Sequence, residues 1–176
     1  MIIVFSLLAC ADLDQKIKLP YYNKADFTPL FLENKDLVAK EINHQIADFS
    51  FVNQNNQSIT QKDINNKIHI ANFIFTSCGS ICPVMTKNMK MVEKQYKNND
   101  DVVILSYSVT PWIDDVNRLK SYTKLNHIDS KNWHFLTGNK AAIYTLARQS
   151  YFAEEDLGFN KDSTDFLHTE HVLLID

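Results

Sequence analysis

Two cysteines four positions apart, Cys78 and Cys82, are the residues of this chain best suited to chemistry. They follow a mostly apolar run, and Pro83 comes directly after the second cysteine. We expect the run to be a strand and both cysteines to lie where the following helix begins. Such a position favours thiolate over thiol, because the unpaired N–H groups of a helix N-terminus carry partial positive charge. Pro83 suits the first helical turn, where its missing N–H costs nothing.

The spacing of the two cysteines permits two kinds of chemistry. If residues 78–82 are near-helical, the two Cα atoms lie roughly 6 Å apart on one face. A disulfide can bridge that separation, and both sulfurs can also reach one soft metal ion. The spacing therefore predicts a site that binds metal as a dithiol and cannot bind it as a disulfide. From the cysteines alone, redox exchange and metal binding both remain open.

Length and composition indicate one domain with an extension. The chain has 176 residues, and 45% hydrophobic residues are enough for a core. The net charge is −3, and the Lys and Arg residues are scattered, so nucleic-acid binding has no electrostatic support. We expect a polar tether and approach segment at 11–46 and a folded domain at 47–176.

The first half of the domain predicts a hairpin followed by a strand–helix–strand unit. Polar residues at 54–57 indicate the hairpin turn, and a short helical turn follows at 60–64. The apolar runs 68–75 and 101–107 are typical of buried parallel strands. The helix between these strands starts at the cysteines, so the dithiol lies at the first crossover.

The second half continues the alternation of helices and strands. Asp114 is predicted to cap a helix, in a solvated Asp114–Asp115 pair, and Asn139 to cap the next one. Residues 133–136 and 172–175 are predicted strands. The pattern predicts an α/β, thioredoxin-like fold with an N-terminal β-hairpin extension. Because such a fold continues with a hairpin return and a closing helix, we expect the sequence to be truncated at its C-terminus.

A metal site needs a third ligand beside two sulfurs. The six histidines are His44, His69, His127, His134, His168 and His171. His168 is the best placed, because the loop before the last strand of a thioredoxin-like fold packs beside the helix that begins at the cysteines. His171 is an alternative. Met85, Met89 and Met91 are possible thioether ligands, but the first two have the helical spacing of core residues.

Cys10 belongs to a different motif. A short apolar run at 2–9 ends in Leu7-Leu8-Ala9-Cys10, which looks like a bacterial lipoprotein signal. The run is too short to span a bilayer. We expect residues 1–10 to be the signal and Cys10 to be lipidated, which would place the protein in the bacterial cell envelope, outward-facing or periplasmic. Its surroundings would then be oxidising. The alternative is a short hydrophobic tail with an incidental cysteine.

The cysteine region resembles the Sco/SenC family, copper chaperones of cytochrome c oxidase assembly. The string from Phe75 to Met89 carries the Cys-x-x-x-Cys-Pro motif, and similarity extends to 133–138, 144–148 and the His168–Thr169 pair. In that family two cysteines and a distal histidine bind copper. The resemblance therefore implies Cys78, Cys82 and His168 as the ligands, and it favours His168 over His171.

One segment departs from the family pattern. Relatives usually carry Asp-Pro-Glu after the second strand of the crossover unit, where this chain has Thr110-Pro111-Trp112. Any role that those acidic residues have in metal tuning or partner docking is not carried over to this chain.

Three functions follow as hypotheses. The resemblance implies a metallochaperone that binds one copper, as Cu(I) or Cu(II), and delivers it to the CuA centre of an oxidase subunit, with an upstream copper donor. The first alternative is a thiol-disulfide oxidoreductase that reduces the cysteines of that centre, for which His168 would be dispensable. The second is a redox sensor in which Cys78 forms a sulfenic acid. The sequence shows no acid–base constellation beyond the thiols, so turnover of a small molecule is not predicted.

Overall fold

The computed structural model describes residues 19–153 and 169–176. These residues form a mixed six-stranded sheet with the strand order β2-β1-β5-β4-β3-β6. The strands are β1 Ser50–Asn53, β2 Ser58–Thr60, β3 Ile68–Ile74, β4 Val102–Ser108, β5 Trp133–Thr137 and β6 Val172–Ile175. Strands β1 and β2 form the predicted hairpin. The pairs β3–β4 and β4–β5 are parallel, whereas β1 and β6 join the sheet antiparallel.

The helices among the described residues connect these strands. They are α1 Lys35–Glu41, α2 Gln61–Ile64, α3 Ile81–Tyr96, α4 Val116–Leu125 and α5 Lys140–Thr145, which continues as a π-helix over Leu146–Ser150. Helix α3 joins β3 to β4, and α4 joins β4 to β5. None of the described helices is long and apolar enough to cross a membrane.

The two faces of the sheet carry separate hydrophobic clusters. One face is rich in aromatic side chains and packs around Phe73, Tyr107 and Tyr151. The other contains Trp133 and Leu119, and it also takes in the Cys82 side chain. Strand β4 is buried along its whole length, which explains its mostly apolar pattern. The architecture confirms the predicted α/β fold class with a hairpin at its N-terminal side.

The carboxyl ends of β3 and β4 meet at one edge of the sheet, where the backbone N–H of Val109 donates to the carbonyl of Ile74 over 2.9 Å. The cysteine loop follows β3 there, and the loop that leads into α4 follows β4. The predicted cap of α4 is wrong by one residue, since the carboxylate of Asp115 accepts from the N–H of Arg118 over 2.7 Å. Asp114 is therefore not the N-cap, and its carboxylate turns toward the cysteine loop instead.

The approach segment packs against the domain that follows it. The ring of Phe27 lies edge-on to Phe152 and to His171, with centroid separations of 6.4 and 6.1 Å. The ring of His44 stacks on Phe152 at 4.1 Å, and its Nε2 lies 2.6 Å from the carbonyl of Ser150. Residues 27 and 44 thus tie the segment to the end of the π-helix.

Candidate metal centre

The two cysteines lie at the junction between β3 and α3. Cys82 is in the first turn of α3 and is buried, with 3% of its surface exposed, whereas Cys78 is in the preceding loop and partly exposed. Both are free thiols. The prediction that both thiols lie at the helix N-terminus is thus correct for Cys82 and wrong for Cys78. The helix starts only at Ile81, because Gly79 is a poor helix former and the N–H of Cys78 closes a turn onto the carbonyl of Phe75.

Hydrogen-bond donors surround the sulfur of Cys78. The hydroxyl of Ser80 lies 3.5 Å from Cys78 Sγ. Ser80 is the N-cap of α3, but its side chain makes no capping hydrogen bond. The backbone N–H groups of the helix start are therefore available to another acceptor, and those of Ser80 and Cys82 act to lower the pKa of the Cys78 thiol.

These surroundings shift the pKa values of the two thiols in opposite directions. Burial raises the pKa of Cys78, but the hydrogen bonds from the Ser80 hydroxyl, the two backbone N–H groups and the Cys82 thiol outweigh it and lower the pKa to about 6. Burial raises the pKa of Cys82 to about 11, with a hydrogen bond at the Phe75 backbone opposing the rise and the charges of Cys78 and Asp114 adding to it. At neutral pH the site therefore holds one thiolate beside one thiol.

A buried carboxylate behind the loop is the feature that the sequence did not predict. Asp114 is 0% exposed. Its Oδ2 accepts hydrogen bonds from the Thr76 N–H over 3.2 Å, from the Ser108 hydroxyl over 2.6 Å and from the Thr110 hydroxyl over 2.9 Å. Its Oδ1 accepts from the Thr76 hydroxyl over 2.5 Å. The only sequence signal was the set of hydroxyl residues at the ends of both strands, and the expected solvated Asp114–Asp115 pair is wrong for Asp114.

Two predicted site residues, His168 and Cys10, lie outside the described residues. The alternative ligand, His171, is engaged elsewhere, with its Nδ1 3.3 Å from the carbonyl of Ala153 and its ring against Phe27. Within residues 19–153 and 169–176, no three His, Cys, Asp or Glu side chains converge as a metal-binding group. His171 therefore does not complete a site with the two cysteines.

The other candidate ligands have structural roles. Met85 and Met89 are buried, as their helical spacing predicted, while Met91 is 64% exposed on the outer side of α3. His69 is buried, and its Nε2 lies 3.1 Å from the Tyr151 hydroxyl. Trp112, whose exposure the sequence left open, is 58% exposed beneath the ammonium of Lys140.

Comparison with known proteins gives the same family over most of the chain. A sequence model described as SCO1/SenC matches residues 38–176. The chain is 41% identical over 86 residues to the SCO1 protein homolog of Bacillus subtilis strain 168, a match that covers 48% of this chain and 45% of that protein. The matched region thus spans less than half the length of that curated relative.

Solved structures show the same likeness. BsSco, a member of the Sco family of cytochrome c oxidase assembly proteins in which a disulfide switch was identified, superposes with a TM-score of 0.57 at 35% identity, covering 62% of this chain and 66% of its own. A SCO1/SenC family lipoprotein from Bacillus anthracis gives 0.57 at 33% identity, covering 62% and 67%. Copper-bound ScoI of Bradyrhizobium japonicum gives 0.60 at 25% identity, covering 75% and 83%. The fold and the matched sequence agree, and the chain belongs to the SCO1/SenC family.

Proposed function

We propose that this chain is a copper metallochaperone that delivers its metal to the CuA centre of a cytochrome c oxidase subunit. The observation that carries the proposal is the pair of free cysteines at the junction between β3 and α3, where Cys82 is buried in the first turn of the helix and Cys78 lies in the loop before it. Two relatives support it, since BsSco belongs to a family of oxidase assembly proteins and the ScoI structure contains copper. Copper is the cargo in this role, received from an upstream donor and passed on to the oxidase.

The donor set of the described residues fits a soft ion. Thiolate sulfur selects Cu(I) over harder ions, and Cys78 already supplies a thiolate. Copper binding at both sulfurs displaces the proton of the Cys82 thiol, since only the thiolate is a ligand. We propose His168 as the third ligand. Two thiolates and a neutral imidazole give a neutral site with Cu(II) and a charge of −1 with Cu(I), so one copper per chain can be held in either state.

Anaerobic titration of the reduced protein with copper tests this function. We expect one copper per chain, sulfur and nitrogen ligands in the X-ray absorption spectrum, and at least tenfold weaker binding in His168→Ala. His171→Ala is the matched control, because His171 lies three positions away and bonds to the Ala153 carbonyl. Equal affinity in wild type and His168→Ala would refute the ligand assignment, and the absence of tight binding in wild type would refute the function.

A thiol-disulfide oxidoreductase acting on the oxidase cysteines is the second candidate. The difference between the pKa values of Cys78 and Cys82 favours this role. A reactive thiolate next to a protonated thiol is the arrangement of an attacking and a resolving cysteine. In that case the Cys78 thiolate of Cys82→Ser would attack a peptide whose two CuA cysteines are joined as a disulfide, release one of them as a thiol and stay trapped in a mixed disulfide with the other, and His168→Ala would reduce the same oxidised peptide at the wild-type rate. Failure to form that mixed disulfide would exclude this role.

We also propose that Cys10 carries a lipid that anchors the protein at the outer side of a bacterial membrane. The support is the apolar run that ends at Cys10 and the lipoprotein nature of the Bacillus anthracis relative. Mass spectrometry of the protein from membranes would show a lipid-modified Cys10 as the first residue, and an unmodified Cys10 would refute the anchor.

A further inference from the structure

The turn directly before Cys78 is held from both sides. On the inner side, Asp114 accepts hydrogen bonds from both the N–H and the hydroxyl of Thr76. On the outer side, the guanidinium of Arg118 donates through Nε to Thr76 Oγ1 over 2.9 Å and through Nη2 to Ser77 Oγ over 3.2 Å. We call Asp114, Thr76, Ser77 and Arg118 the Asp114 network. It fixes the two residues that precede Cys78.

The Thr76 hydroxyl links the two charges of this network. It donates to Asp114 Oδ1 and accepts from Arg118 Nε, so its donor and acceptor capacities are both used. A fully buried carboxylate is costly unless it is hydrogen-bonded and paired. Removal of this hydroxyl deprives Asp114 of a charge-assisted hydrogen bond and separates it from its bridged cation. The network is therefore most sensitive at Thr76.

The backbone of Cys78 is held from the upstream side of the loop. Its own N–H bonds to the carbonyl of Phe75, which keeps Cys78 close to the end of β3. On the downstream side, no atom packs against Gly79, since a Cβ added there would meet no atom within 4 Å. The position of the Cys78 backbone thus depends on the turn that the Asp114 network holds, while the Ser80 hydroxyl contacts the sulfur from the helix side.

We propose that Asp114 is a positioning residue for Cys78, acting through Thr76 and Arg118 to keep the two sulfurs at a fixed separation. A fixed separation gives each thiol a high effective concentration at the other, which favours both the disulfide and the binding of one metal ion by both sulfurs. The metal-binding part of this inference rests on the proposed function, whereas the disulfide part does not.

Positioning and simple charge predict opposite results for the same substitution. If Asp114 acted only as a nearby negative charge, its replacement by Asn would favour thiolates and tighten Cu(I) binding. If Asp114 positions the loop, Asp114→Asn weakens Cu(I) binding. Thr76→Val weakens it as well, although the charge is retained. The two variants together therefore separate the two explanations.

The test uses the whole chain and two measurements. The first, without metal, is the equilibrium between the Cys78–Cys82 dithiol and disulfide in glutathione buffers. We expect Thr76→Val and Asp114→Asn to lower the equilibrium constant for disulfide formation at least tenfold, which corresponds to a rise of about 30 mV in the reduction potential. The second measurement is competition for Cu(I) with a chromophoric chelator, where we expect both variants to bind at least tenfold more weakly.

Three further variants keep the test decisive. Thr76→Ser retains the hydroxyl and is expected to stay within twofold of wild type in both measurements. Asp115→Asn makes the same charge change at the exposed neighbouring position and is also expected to stay within twofold. Arg118→Ala truncates an exposed side chain without disturbing the core, so it reports on the network even if a buried substitution prevents folding. We expect at least a threefold loss in both measurements for this variant.

Two outcomes would overturn the inference. One is a disulfide equilibrium within twofold of wild type in Thr76→Val and Arg118→Ala. The other is tighter Cu(I) binding in Asp114→Asn with unchanged binding in Thr76→Val. A wild-type protein that binds no copper would refute the proposed function, while the glutathione measurement would still decide the role of Asp114.

Discussion

The thiol of Cys78 is predicted to react faster than an ordinary cysteine at neutral and mildly acidic pH. With a pKa of about 6 against the ordinary 9.0, about 90% of Cys78 is thiolate at pH 7, compared with about 1% of an ordinary thiol. A thiolate of lower pKa is a weaker nucleophile. With a Brønsted coefficient of about 0.45, a pKa lower by about three units makes the thiolate react about 20-fold more slowly than an ordinary thiolate. The net advantage over an ordinary thiol is about fourfold at pH 7 but about 25-fold at pH 6.

The assay is the rate of alkylation of the reduced protein by iodoacetamide between pH 4 and 10, with the labelled peptides resolved by mass spectrometry. We expect the Cys78 rate to rise to a plateau with a midpoint near pH 6 and Cys82 to remain unlabelled until far higher pH, since its pKa is about 11. Ser80→Ala removes the hydroxyl 3.5 Å from the sulfur and should raise the midpoint by about one pH unit or less. Ser121→Ala, on the exposed surface of α4, is the control.

Two results would refute this reasoning. A midpoint for Cys78 above pH 8 would mean that the donors at the start of α3 do not stabilise the thiolate. Labelling of Cys82 at a lower pH than Cys78 would mean that Cys82, and not Cys78, has the lower pKa.

Two further predictions concern the stability of the fold. Burial lowers the pKa of His69 to about 4 from 6.5, so between these values the unfolded chain binds a proton that the folded chain does not, and stability falls by about 3 kcal/mol as the pH drops from 7 to 4. His69→Gln should reduce that loss in urea unfolding measured at several pH values, and an unchanged pH dependence would contradict it. A Cβ at Gly138 would lie 2.8 Å from the ring of Phe51, which is buried against other aromatic rings, so Gly138→Ala should cost about 1–3 kcal/mol. Gly79→Ala, where a Cβ meets no atom within 4 Å, is the matched control, and equal urea midpoints for the two variants would contradict the prediction.

The strands, the hairpin and the cap of α5 could be predicted because local pattern determines them. The runs that became β3 and β4 are buried on both faces for almost their whole length, and their mostly apolar sequences indicate this. The hairpin was predicted from its polar turn, and Asn139 caps α5 as its residue type indicates, accepting from the Ala142 N–H over 3.0 Å. Each of these features depends on residues close together in the sequence.

The errors occur where tertiary contacts override the local signal. Asp114 and Asp115 are both good N-cap residues, and sequence alone does not say which one faces the helix. The choice depends on the hydroxyls of Thr76, Ser108 and Thr110, which satisfy Asp114 from two different strand ends. Likewise, the helical extent of the cysteine loop depends on the turn onto the Phe75 carbonyl, which no residue pattern reports.

The same contacts give a physical reason for the departure at position 110. The Thr110 hydroxyl donates to Asp114 Oδ2 over 2.9 Å, whereas an ionised aspartate at that position, as in the family pattern, has no hydrogen to donate. Thr110 instead supplies a neutral donor, which leaves Asp114 free to accept from Thr76. Thr110, which departs from the family motif, therefore helps to satisfy Asp114, the residue that we propose positions Cys78.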